Sequence, residues 1–126
     1  MKTTTMIFNW LIRITGLFQL IIGVIFWVNQ DDNLVPFHLL VGVILVLSLW
    51  IMAFLAAARA GVSWKMTALA FVWGLVVAIL GFTQTQILPG NLHWLIEVLH
   101  LLLGLGAIGL GEALSARIKR LQQPKA

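Results

Sequence analysis

Residues 34–58 read LVPFHLLVGVILVLSLWIMAFLAAA, 25 residues without an Asp, Glu, Lys or Arg. A hydrocarbon core about 30 Å thick is crossed by roughly 20 helical residues, so this stretch is long enough to span a bilayer. Three similar runs occupy residues 6–28, 66–82 and 92–116. The third is near the lower length limit of about 17 residues, and its flanks extend it to 64–84. In lipid every backbone N–H and C=O needs a partner inside the protein, and a helix supplies these from within one segment. Alternation with period two is absent. The expected fold is all-α: a four-helix antiparallel transmembrane bundle in a single membrane domain. Its spans are expected at about 6–28, 34–58, 64–84 and 92–116, with a basic cytoplasmic tail over 117–126.

Composition agrees. Of 126 residues 61% are apolar and 10% charged, with a mean hydropathy of +1.04, against ~45–50% and ~25% for a soluble domain. So short a chain could not hide that much apolar surface from water, which excludes a soluble enzyme and a disordered segment. The net charge of +4 does not indicate nucleic acid. Lys2, Arg13, Arg59, Lys65, Arg117, Lys119, Arg120 and Lys125 lie at or near the ends of apolar runs, where positive charge sets membrane orientation and here puts both termini in the cytoplasm. Met1-Lys2 before an apolar run resembles a signal peptide, but the run is too long and has no small-residue cleavage site. Trp10, Trp27, Trp64 and Trp94 fall near helix ends as an interfacial belt requires, and Trp50 and Trp73 lie deeper. No cysteine is present, which removes disulfide exchange, iron–sulfur clusters and thiolate metal sites, and with them four-helix thiol-oxidase chemistry.

The connections are short: NQDDN at 29–33 with Asp31 and Asp32, RAGVSWK at 59–65, and TQTQILPGN at 83–91. Asn33 and Asn91 are expected as N-caps, and Pro36 fits a first helical turn. The second run contains HLLVG from His38 to Gly42 and the fourth HLLLG from His100 to Gly104; each later ends in small residues and an arginine, Arg59 and Arg117. A duplicated two-helix hairpin gives this pattern, and so does chance recurrence in Leu-rich helices.

Ionisable groups within lipid cost about 2.5–3.5 kcal/mol at the centre of a span, so each is a functional candidate. They are Arg13, His38, His93, Glu97, His100 and Glu112, joined by the neutral Gln19. His93, Glu97, His100, Gly104, Ala107 and Gly111 share one helical face. His93 stands near the helix start, where hydrogen bonding suffices to explain it. His100 lies about 13 Å beyond Asn91, and His38 about 7 Å beyond Asn33, at ~1.5 Å per residue. Glycine four positions after a histidine leaves a flat slot beside the imidazole. A porphyrin ligated by that imidazole fills such a slot, and b-type haem iron takes one histidine nitrogen on each face.

Through HLLVG at His38–Gly42 and HLLLG at His100–Gly104, the chain resembles small bacterial four-helix integral-membrane cytochromes of the b type. The resemblance covers general architecture and, in motif, those ten residues. It implies haem b held by His38 and His100 with clearance at Gly42 and Gly104, electron transfer with quinone or a redox partner protein, and a bacterial inner membrane. His93 is the poorer ligand because Glu97 occupies the equivalent slot. Two features oppose haem. The outer side has no cation for the propionates, only Gln30, Asn33, Thr83, Gln84, Thr85, Gln86 and Trp94 as neutral donors. The two histidines also differ in depth by about 6 Å.

The rival readings stay open. Glu97-x-x-His100 has the spacing of a metal-binding helix element, and His38, His93, Glu97 and His100 could together hold one Zn, Fe or Cu ion. Alternatively no cofactor binds, and the chain is a non-catalytic membrane subunit whose histidines hydrogen-bond between helices. Transport is disfavoured: the first helix offers Arg13 and Gln19 where a proton-coupled exporter needs a carboxylate, although Glu97 could carry a proton. Arg13 and Glu112 suit a structural ion pair, with snorkelling of Arg13 as the alternative. The glycines of the fourth helix, with Ala107, Gly111 and Ser115 spaced by four, and Gly16 and Gly23 in the first, serve packing, cofactor clearance or a homodimer.

Overall fold

The computed structural model describes residues 2–29 and 32–124; Met1, Gln30, Asp31 and Lys125, named above, lie outside them. Four α-helices follow in order: α1 Lys2–Asn29, α2 Val35–Ala60, α3 Trp64–Thr83 and α4 His93–Gln122, with 3₁₀ turns at Asp32–Leu34 and Gln84–Gln86. The protein is 91% helical, and no strand occurs among the described residues. All four helices are long and apolar enough to cross a membrane. Their outer surface is apolar too, with Leu17, Val28, Leu40, Phe82 and Leu102 exposed, a coat that lipid solvates and water does not. Trp10, Trp27, Trp64 and Trp94 are all exposed near helix ends.

The helix ends differ in detail from the apolar runs. The basic segment after residue 116 continues α4 as helix to Gln122 and does not stop where the apolar run ends. Ile118 explains this: it is fully buried, so the last two turns still have an inward face, while Arg117, Lys119 and Arg120 point out. Nor do Asn33 and Asn91 cap their helices. Leu34 and Leu92 hold those positions, without a side-chain cap bond. Asn33 is drawn into a 3₁₀ turn before Pro36, and Asn91 into the turn closed by His93 N–H on the Gly90 carbonyl at 3.1 Å. Ser63 does cap α3, its hydroxyl accepting from Met66 N–H at 3.4 Å, and Gly61 ends α2 with φ 75°.

Each helix packs on its two chain-order neighbours, α4 returning to α1, and α2 also meets α4 across the bundle whereas α1 and α3 do not approach. Glycines set this spacing by receiving large side chains from the facing helix. A Cβ at Gly16 would meet Ile108, at Gly111 Ile12, at Gly74 Trp50, and at Gly106 Trp73. Trp73 is further fixed by donating Nε1–H to the Leu103 carbonyl at 2.8 Å. Ala107, Gly111 and Ser115, the small-residue stripe of α4, therefore lie inside the bundle; Gly23, Gly104 and Gly109 adjoin open space.

The fully buried side chains gather toward the end that carries both termini: Ile12, Leu49, Met52, Ala53, Ala56, Leu114 and Ile118. There the apolar periodicity of all four helices converges. The opposite half has fewer buried apolar residues, Ile22, Leu80 and Ile96 among them, and it holds Gln19, His38 and His100.

Candidate functional site

Because α2 and α4 meet across the bundle, residues 38 and 100 face one another. The ring centroids of His38 and His100 are 6.2 Å apart with planes at 62°. The apparent difference in depth along the two helices does not separate them. His38 also meets the edge of Phe26 from α1, at 5.3 Å and 65°.

Three buried polar atoms here lack any hydrogen-bond partner: His38 Nδ1, His100 Nδ1 and Gln19 Oε1. A buried polar group left unpaired costs about 1–3 kcal/mol, so three in one place form an unusual concentration. Two histidines serving only to join helices would be expected to use these atoms.

The glycines flanking the imidazoles have unequal roles. At Gly42 a Cβ would lie 2.7 Å from Gln19 Nε2, so the amide of Gln19 covers the surface expected to be vacant. At Gly104 a Cβ would meet nothing within 4 Å. The glycine against the His100 ring is Gly81 of α3, whose Cβ would stand 3.2 Å from His100 Cε1. Sequence reasoning missed Gly81 and Phe26. It looked for clearance on the histidine's own helix, whereas a neighbouring helix provides it; the signal was a glycine at the end of the third run nearest the third connection.

His93 lies apart from this pair. It opens α4 and donates from Nδ1 to the Ile87 carbonyl at 3.1 Å, closing the loop before the helix. Glu97 makes no hydrogen bond to His93 or His100 among the described residues. No group of three or more His, Asp or Glu able to hold a metal ion occurs among the described residues, so His38, His93, Glu97 and His100 do not assemble into one donor set. Thr83, considered as a propionate donor, gives its hydroxyl to the Ile79 carbonyl at 2.6 Å.

At the other end, Arg13 and Glu112 join α1 to α4. Arg13 Nε donates to Oε1 at 2.5 Å and Nη2 to Oε2 at 2.9 Å, and the guanidinium sits 5.2 Å from the Trp10 ring centroid. Both side chains are more than two-fifths exposed, which makes the pair a boundary feature and not part of the core. No family model, curated protein or solved structure matches the chain.

Proposed function

We propose that this chain is a membrane-embedded haem b protein for electron transfer, in which His38 and His100 would hold the haem. The separation of the two rings carries this reading. The ring centroids are 6.2 Å apart, which brings two imidazoles from facing helices close enough to hold one cofactor between them. The unpartnered nitrogens support it further, since the imidazoles are not spent on each other.

Haem b, when bound, supplies a one-electron couple that the side chains lack. His38 and His100 would hold it between α2 and α4, and Gly42 and Gly81 would give the ring close approach. Gln19 must then withdraw from Gly42. Nothing anchors its Oε1, and the side chain is long enough to swing.

Lys2, Arg59, Lys65, Arg117, Lys119 and Arg120 all fall at the end where α1 begins, α2 meets α3 and α4 finishes. The positive-inside tendency puts that end in the cytoplasm and the histidine pair toward the outer face of a bacterial inner membrane. A quinol in the outer leaflet is the electron donor this placement suits.

Hemin titration of the purified chain tests the reading. Wild type should take up one equivalent and give a Soret band that sharpens on reduction. Gly42→Ala should weaken uptake on the order of tenfold, the effect of overfilling a close-packed slot, without loss of helicity, because the added methyl meets only the mobile end of Gln19. A wild-type protein that takes up no hemin would overturn the proposal.

A further inference from the structure

At the end that carries both termini, α1 and α4 enclose a cavity of about 310 Å³, lined by Lys2, Arg13 and Lys119 together with Trp10 and Ile118. Asn9 also lines it; this residue is 4% exposed, and its Oδ1 has no hydrogen-bond partner. Arg13 is engaged bidentately by Glu112, so the lysine ammoniums are the mobile cations of the cavity. A cleft of this size is at the lower limit of small-molecule sites, about 300 Å³. Its lining combines exposed cations, a buried acceptor and the apolar side chains of Met6 and Trp10, which stay exposed on the outside of α1.

We propose that this cavity binds the headgroup of an anionic glycerophospholipid carrying a headgroup hydroxyl, as in phosphatidylglycerol. Lys2 and Lys119 take the phosphodiester. The hydroxyl donates to Asn9 Oδ1, an acceptor that a phosphodiester, which carries no proton, cannot satisfy. The acyl chains continue along the apolar face of α1. Basic clefts between helices at the cytoplasmic surface are suited to such lipids, each lysine near the surface contributing about a fivefold preference for an anionic headgroup. The inference is independent of the histidine cluster and of any haem.

The test is lipid binding by the full chain in detergent, read by native mass spectrometry. Phosphatidylglycerol, phosphatidylmethanol and phosphatidylcholine with identical acyl chains are compared with inorganic phosphate. Wild type should bind one phosphatidylglycerol, tighter than phosphatidylcholine by an order of magnitude or more. The double variant Lys2→Ala/Lys119→Ala, both at exposed positions, should erase that preference, and Arg59→Ala/Lys65→Ala at the same end should retain it. Asn9→Leu should weaken phosphatidylglycerol several-fold and leave phosphatidylmethanol, an anionic phosphodiester without a headgroup hydroxyl, unchanged. Equal binding of phosphatidylglycerol and phosphatidylcholine, a preference that survives loss of both lysines, or inorganic phosphate binding as tightly as the lipid would each overturn the assignment.

Discussion

Alanine at either His38 or His100 is expected to abolish the six-coordinate low-spin spectrum of the hemin-loaded protein, whereas His93→Ala keeps it. The first two rings face each other at 6.2 Å; the third is turned toward the Ile87 carbonyl at the helix start. Loss of one axial nitrogen leaves a five-coordinate iron, which absorbance reports directly. Leucine variants at the same two positions separate ligation from architecture. Since His38 Nδ1 and His100 Nδ1 are buried without partners, replacing either ring by leucine removes an unpaired polar atom and should leave the hemin-free bundle as stable as wild type or more so. Histidines that serve only as helix glue would give the opposite result, a less stable bundle. Retention of the spectrum in His100→Ala with its loss in His93→Ala would transfer the ligand role to His93.

The largest effect on stability is expected at Gly106. The indole of Trp73 occupies the space a Cβ would need there, and its hydrogen bond to the Leu103 carbonyl keeps it from moving aside. Gly106→Ala must shift α3 from α4 or break that bond. Overpacking costs about 1–3 kcal/mol, and the lost hydrogen bond adds about 1 kcal/mol. Gly104→Ala, two residues away, meets nothing and should be neutral. Thermal unfolding in detergent, followed by loss of helical circular dichroism, distinguishes them. Equal midpoints for the two variants would contradict the packing described for α3 and α4.

The contrast between Gly104 and Gly106 also shows how far the sequence could be read. Run length, hydropathy and the short polar connections are properties of the chain itself, and they define four helices and their antiparallel order before any packing is known. The histidine pair was legible because HLLVG and HLLLG repeat on helices that must run parallel. What surrounds the pair was not. Gln19 stood out only as a polar residue in an apolar helix, and that its amide lies over Gly42 depends on how α1 rotates about its axis. Gly81 belongs to a helix with no motif. The same limit applies to the glycines of α4, which share a sequence pattern yet divide between Trp73 or Ile12 on one face and open space on the other. Helix ends failed for a related reason. Asn33 and Asn91 have the right chemistry for caps, but Pro36 and Gly90 draw the chain into turns that start each helix later.

The central claim is that two imidazoles from α2 and α4 share one iron. Near-infrared magnetic circular dichroism of the oxidised, hemin-loaded protein tests it most directly, because the position of the low-spin charge-transfer band reports the identity of both axial ligands. Ligation by His38 and His100 requires the bis-imidazole band in wild type and its disappearance in either alanine variant. A high-spin spectrum in wild type, or a bis-imidazole band that survives in both variants, would contradict the account.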